Sequence, residues 1–191
     1  MKKLFLLPLM VLFFNALLAQ KTLYVYNFSS YPIEMGSLAT LPNNAITPGN
    51  PGNTGCQIQY PNLYGSVGYI LPAGNTYVLE NLDSATRFPF YSPDSVPEIT
   101  QWLVSTSSTN TFSLNSTNSW LAYGNGQQFH YLKFEFENPS DSGGGNIGTT
   151  DYCNTGFVQD AIVSSNGSMA AYYSENLVGS ITEYVIIILD N

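Results

Sequence analysis

Residues 129–137, Phe-His-Tyr-Leu-Lys-Phe-Glu-Phe-Glu, decide the class of fold. From Leu132 onward, apolar and charged side chains alternate in this stretch. Successive side chains of a β-strand point to opposite faces of its sheet, so this period of two predicts an antiparallel strand with one buried face. The predicted inner face carries Leu132, Phe134 and Phe136, and the outer face carries Lys133, Glu135 and Glu137.

Short apolar stretches separated by turn residues recur through the rest of the chain. No long stretch with the 3.6-residue period of a helix follows residue 19. This spacing predicts an all-β fold for residues 20–191: a single antiparallel β-sandwich or jelly-roll of about nine or ten strands. The other predicted strands include residues 22–28, 33–38, 67–71, 76–79, 99–104, 157–163, 169–173 and 184–189.

Two more detailed predictions concern the ends of this domain. Residues 22–28 and 33–38, joined by a turn at 29–32, are expected to pair as a hairpin. The run Ile186-Ile187-Ile188 shows no alternation. Such a run is typical of a strand in the middle of a sheet, so we expect this strand to be central and buried on both faces.

The first nineteen residues, 1–19, have the order of a secretory signal peptide. Two lysines precede an apolar run from residue 4 to residue 18, and Ala19 precedes Gln20. This order predicts cleavage after Ala19 and a mature protein that is periplasmic, extracellular or on the cell surface. An uncleaved membrane anchor is the alternative, but the run is short for a span of about 20 residues. No later apolar run reaches that length.

The residues at the predicted cut, Leu17-Leu18-Ala19-Gln20, resemble the leaders of small secreted β-sandwich proteins of Bacteroidetes-type bacteria. The resemblance covers the leader alone and implies export, not an activity. An exported chain meets an oxidising compartment, where disulfides form. Cys56 and Cys153 are the only cysteines, so we expect one bridge between them. Two separate buried thiols are the alternative.

Charged residues are scarce and mostly acidic. Thirteen Asp and Glu face five Lys and Arg, a formal net charge of −8, and loss of the leader removes two of the lysines. The three remaining cations cannot neutralise the phosphates of a nucleic acid or form a polybasic membrane anchor. The hydrophobic content of 44% is enough to fill a core, which argues against disorder.

Few residues have the pattern of a catalytic site. His130 is the only histidine, and its place in a strand without a nucleophile motif predicts a core or sheet-margin position. Glu135 and Glu137 share a face at about 7 Å, a separation that inverting glycosidases use. A polysaccharide-acting enzyme with this pair is therefore an alternative function. Acids beside Lys133 are equally typical of a solvated face.

Aromatic residues make up 14% of the chain, and several lie near polar loops. Flat rings beside amides and hydroxyls suit the faces of sugars, and they also suit protein contacts. We therefore expect a non-enzymatic binding or cell-surface domain for a glycan or a cell-surface protein, with Trp102 in the core. An assembly subunit that pairs through its C-terminal strand is a further alternative. The expected binding residues are Tyr60, Tyr64, Trp120 and Tyr123.

Oxygen-bearing side chains gather around the glycine-rich segment 143–148. They are Asn138, Asp141, Asn146 and Asp151. Calcium takes six to eight oxygen ligands, and extracellular modules bind it at modest affinity. The sequence thus offers a candidate calcium site, with an ordinary polar loop as the alternative, and it predicts no other cofactor.

Overall fold

In the computed structural model, two β-sheets face each other and enclose the hydrophobic core. The structure describes residues 20–42, 46–47, 57–58, 60–79, 99–107, 109–124, 126–149 and 157–191. This part of the chain confirms the predicted all-β sandwich, with thirteen strands instead of nine or ten. The elements are β1 (Gln20–Asn27), β2 (Ile33–Pro42), β3 (Ile46–Thr47), β4 (Gln57–Ile58), β5 (Asn62–Leu71), β6 (Thr76–Leu79), β7 (Gln101–Ser105), β8 (Thr111–Asn115), α1 (Ser116–Tyr123), β9 (Gln127–Phe136), β10 (Gly144–Gly148), β11 (Ala161–Val163), β12 (Met169–Val178) and β13 (Ile181–Asp190).

The two large sheets contain five and six strands. The five-stranded sheet has the order β11-β12-β13-β1-β6, and the six-stranded sheet has the order β10-β9-β2-β5-β7-β8. The two-residue strands β3 and β4 pair with each other. Among the named strands, neighbours run antiparallel except β1 and β13, which are parallel with Gln20 opposite Ile181. The sandwich is therefore mostly but not entirely antiparallel.

The alternation in β9 has the predicted orientation. Its apolar residues from Leu132 onward are buried, whereas Lys133 and Glu135 are exposed. Trp102 in β7 is also buried in the core, as expected. Burial of one face of each sheet supplies the main stabilisation, since apolar surface contributes about 25 cal/mol per Å² removed from water.

The predicted hairpin of residues 22–28 and 33–38 is wrong. β1 belongs to the five-stranded sheet and β2 to the six-stranded sheet, so the turn between them carries the chain across the sandwich. The turn between β5 and β6 crosses in the same way. Asn27 fixes both crossings, because its buried amide donates to the carbonyl oxygens of Tyr31 at 2.9 Å and of Leu71 and Pro72 at 3.1 Å.

The C-terminal strand β13 lies in the middle of the five-stranded sheet, as predicted, and pairs with β12 and β1. Its predicted burial on both faces is wrong. Ile186 and Ile188 are 0% exposed, whereas Ile187 is only half-buried. Burial alternates along the strand, although all three isoleucines are apolar, because only the inner face of β13 packs on the other sheet.

Several predictions fall on residues outside the described part of the chain. They concern the leader, residues 1–19, and the bridge between Cys56 and Cys153. Both stay predictions. Within the described part, no helix is long and apolar enough to cross a membrane.

Candidate functional site

A pocket of about 450 Å³, lined by polar residues and one tyrosine, opens at the end of the sandwich where β1 and β13 finish. Three turns and the end of β13 form it: the turns are the crossing after β1, the turn after β9, and the turn between β11 and β12. Three serines, two asparagines, two aspartates and one tyrosine line the pocket. Among them, Tyr31 supplies an aromatic ring, Asp141 and Asp190 supply carboxylates, and Asn166 supplies a side-chain amide.

Asp141 is the buried carboxylate of this pocket, 3% exposed. One carboxylate oxygen accepts hydrogen bonds from the hydroxyls of Ser164 and Ser168 and from the Ser168 backbone amide. The other accepts a hydrogen bond from the Asn166 backbone amide at 2.6 Å. Burial by itself raises the pKa of Asp141, but these four hydrogen bonds outweigh it and hold the pKa well below its usual range. Asp141 therefore stays ionised and fixes the turn between β11 and β12.

The rim of the pocket is formed by exposed groups. Tyr31 presents a ring that is 38% exposed. The Asp190 carboxylate accepts hydrogen bonds from the backbone amide of Ser30 at 3.0 and 3.1 Å and from its hydroxyl at 2.6 Å. On the opposite turn, the Asn166 side chain donates to the Ser140 carbonyl at 2.8 Å. These contacts hold the polar rim groups in fixed positions.

The four candidate calcium ligands are only partly brought together. Asn138 and Asp141 pair in an isolated β-bridge and both line the pocket. Asn146 instead lies in β10, where its amide donates to the Phe157 carbonyl at 3.1 Å, and Asp151 lies outside the described residues. In the ranges that the structure describes, no three His, Cys, Asp or Glu side chains are grouped to hold a metal ion. The calcium site stays a prediction.

The four aromatic residues expected to bind a ligand lie in different places. Tyr64 in β5 packs on the small cluster of Ala39, Tyr131 and Val158, and exposed Tyr60 is close enough to raise the pKa of Tyr64 further, in addition to the effect of burial. The two remaining residues are on α1. Tyr123 packs against Phe112 and the main core, and the Trp120 side chain lies outside the described part of the structure.

The candidate acids of the enzyme alternative are both exposed. Glu135 lines a second pocket of about 320 Å³ with Lys133 and residues 143–145, and Glu137 is not among its lining residues. The structure thus places Glu135 beside a cation on the outer face of the six-stranded sheet. This arrangement matches the solvated-face alternative more closely than a facing carboxylate pair.

His130 is buried, as predicted, but for a different reason than its place in the alternation. Thr40 of β2 is opposite Phe129 and Ala39 is opposite Tyr131, so His130 is the extra residue of a β-bulge. The bulge shifts the alternation of β9 by one residue. Phe129 and Leu132, three positions apart, therefore both face the main core. Tyr131 packs on the other face of the sheet, and its ring lies 5.0 Å from that of His130.

A second polar cluster lies inside the opposite end of the sandwich. The buried ammonium of Lys21 in β1 donates to the Gln127 carbonyl of β9 and so ties the two sheets together. Desolvation lowers the pKa of Lys21 to about 8, against the opposing effect of Glu175. Nearby, the Tyr173 hydroxyl is 2.9 Å from the Thr149 hydroxyl. The sequence carries one sign that Lys21 points inward: it lies two residues before buried Leu23 in the same strand, so the two side chains share a face of the sheet.

Apart from Asp190 at the end of β13, the pocket residues that the sequence did not reveal are on turns. Residues 29–32 are Ser-Ser-Tyr-Pro and residues 164–168 are Ser-Ser-Asn-Gly-Ser, which marks both segments as turns but not as neighbours. Comparison with known protein families finds no family model that matches the chain, and comparison with curated proteins finds no match. The pocket must therefore be interpreted from its own chemistry.

Proposed function

We propose that this protein is a non-catalytic carbohydrate-binding domain and that the pocket beside Tyr31 is its sugar site. The observation that carries the proposal is the exposed Tyr31 ring beside a pocket lined by hydroxyls, amides and carboxylates. A sugar has apolar ring faces and hydroxyl edges, so one aromatic ring with several oriented polar groups matches it. The volume of about 450 Å³ lies within the usual range for small-ligand sites.

The charge of the pocket favours a neutral glycan over an acidic one. Asp141 and Asp190 both line it, and its described lining contains no Lys or Arg. Carboxylates accept hydrogen bonds from sugar hydroxyls but repel the carboxylates of acidic sugars. The formal charge of −8 on the whole chain adds to that repulsion. The ligand class is therefore an uncharged, hydroxyl-rich saccharide.

Binding without catalysis fits the state of the two carboxylates. A glycosidase needs one carboxyl group with a raised pKa to donate a proton. The pKa of Asp141 is instead lowered, and its oxygens already accept four hydrogen bonds. Asp190 is engaged by Ser30. Asp141 therefore lacks the environment of a general acid.

Export belongs to the same proposal. The leader predicts removal of residues 1–19 and a mature chain that begins at Gln20. A saccharide-binding domain with few charges suits the cell surface, the periplasm or the medium. Mass spectrometry of the exported protein should give a chain that starts at Gln20.

Two tyrosines provide a matched test of the sugar site. Tyr31 at the pocket is 38% exposed. Tyr60, one of the four aromatic residues that the sequence suggested as binding residues, is 37% exposed and does not line the pocket. The wild type is screened on an array of neutral and acidic glycans, and the strongest neutral oligosaccharide is then titrated by calorimetry. We expect Tyr31→Ala to weaken binding about five- to tenfold, because a stacking contact contributes about 1–1.4 kcal/mol. Tyr60→Ala should bind like the wild type.

Three outcomes would contradict the proposal. The first is that the wild type binds no neutral glycan on the array. The second is that Tyr60→Ala loses binding while Tyr31→Ala keeps it, and the third is that the bound saccharide is hydrolysed during the titration. Circular dichroism and thermal unfolding of both variants establish that each is folded. Repeating the titration with and without added calcium tests the predicted cation separately.

A further inference from the structure

The outer face of the five-stranded sheet is largely apolar toward the end where β1 finishes, whereas exposed Ser174 and Asn176 lie farther along β12. Side chains on its strands that alternate with the core residues point away from the other sheet. At this end the exposed ones are Val163, Tyr172 and Leu189, with Phe28 directly after β1 and half-buried Tyr26 and Ile187 between them. These six residues define what we call the apolar face.

The apolar face is continuous across the sheet. Ile187 of β13 is opposite Tyr26 of β1 on one side and Tyr172 of β12 on the other. Along β1 the rings of Tyr24, Tyr26 and Phe28 are nearly parallel, with centroids 5.9 and 5.5 Å apart and interplanar angles of 9° and 14°. The result is a row of stacked aromatic side chains beside Ile187, without the charges that usually mark a solvated sheet.

The other sheet shows the contrast. Its outer face carries Glu34 opposite Glu135 on neighbouring strands, with Lys133 nearby. In the described part of the five-stranded sheet, Glu183 is the one charged side chain at an outward position within the strands, and it is toward the Lys21 end. With a formal charge of −8, two copies of this chain repel each other least where they meet through the apolar face.

The size of the apolar face is sufficient for a dimer. Five strands about 4.8 Å apart and about seven residues of about 3.3 Å each give a surface of roughly 550 Å². Two such faces bury roughly 1,100 Å², which is above the about 1,000 Å² that a specific interface needs. Exposed apolar surfaces of this size on a monomer mark contact sites.

We propose that two copies of this chain associate through their apolar faces, sheet against sheet. The same residues contribute from each copy, as a two-fold interface requires. Sheets packed in this way lie about 10 Å apart, with Tyr26, Tyr172 and Ile187 at the centre of the contact. This inference is independent of the sugar site, because none of the six residues lines the pocket.

The oligomeric state of the chain spanning residues 20–191 tests the proposal. We expect light scattering after gel filtration, from about 1 to 100 μM, to show a dimer that dissociates on dilution. Tyr172→Lys, at a position 45% exposed, places two ammonium groups in the interface and should weaken association at least about tenfold. Leu103→Lys is the matched control, because Leu103 is 42% exposed on the outer face of the other sheet.

The proposal fails if the wild type is monomeric at 100 μM, if Tyr172→Lys associates as strongly as the wild type, or if Leu103→Lys alone dissociates the dimer. Val163→Lys, on the edge strand β11, is a second variant should Tyr172→Lys not fold. A chain that stays monomeric but sediments with vesicles of uncharged phosphatidylcholine would also overturn it, since a lipid surface would then cover the face.

Discussion

Ile186→Ala removes three buried carbons from the central strand of the five-stranded sheet. Each buried methylene contributes about 0.8 kcal/mol, so the transfer loss is about 2.4 kcal/mol, and the cavity that remains raises the cost to about 3.5 kcal/mol. Ile186 is 0% exposed and belongs to the main core cluster, so the full cost applies. Its neighbour Ile187 is half-buried on the apolar face, where truncation leaves no enclosed cavity. Ile187→Ala should cost about 1 kcal/mol.

Urea denaturation followed by circular dichroism measures both variants. The experiment is carried out near 1 μM, so that the proposed association contributes little to the free energy of unfolding. We expect the midpoint of Ile186→Ala to fall clearly below that of Ile187→Ala at an unchanged slope, with a melting temperature lowered by roughly 10 °C. Equal losses for the two variants would refute the argument, because they would show that both faces of β13 are buried in the monomer.

Two other predictions concern polar side chains. Asn27→Ala removes the side-chain amide that joins the two crossings, although the Ser29 hydroxyl still donates to the Tyr31 carbonyl and the Asn75 backbone amide to the Pro72 carbonyl. It should cost about 2 kcal/mol in thermal unfolding, whereas exposed Asn75→Ala should cost little; equal effects would contradict the role of Asn27. Asp141 has a lowered folded-state pKa, so its contribution to stability is complete above the unfolded value of about 3.9 and is lost as the pH falls below it. Urea titrations from about pH 7 to pH 2 should therefore show a smaller loss of stability for Asp141→Asn than for the wild type, and parallel profiles would contradict this.

The sequence predicts features that depend on neighbouring residues. Alternation in β9 is a local property, and it identified the buried and exposed faces from Leu132 onward correctly. The short helix α1 also has a local signal that the strand pattern obscured. Its start is capped by Asn115, whose side-chain oxygen accepts the Asn118 amide at 2.8 Å.

Features that depend on distant partners could not be predicted. The β-bulge at His130 exists only in the register between β9 and β2, so alternation within β9 gave no sign of it. The crossing after β1 looked like a hairpin turn, because the contact of Asn27 with Leu71 joins residues far apart in the chain. The pocket as a whole escaped prediction for the same reason, since Tyr31 and Asp141 lie on separate turns and Asp190 lies at the end of β13.

The parallel pairing of β1 with β13 has a consequence for how the chain folds. It joins residues roughly 160 positions apart, the kind of non-local contact that slows folding because a long loop must close before any stabilisation is gained. Leu23 and Val25 therefore remain uncovered on the β13 side until nearly the whole chain has been synthesised. The five-stranded sheet is completed last, and its edges are open to wrong partners for as long as the chain is unfinished.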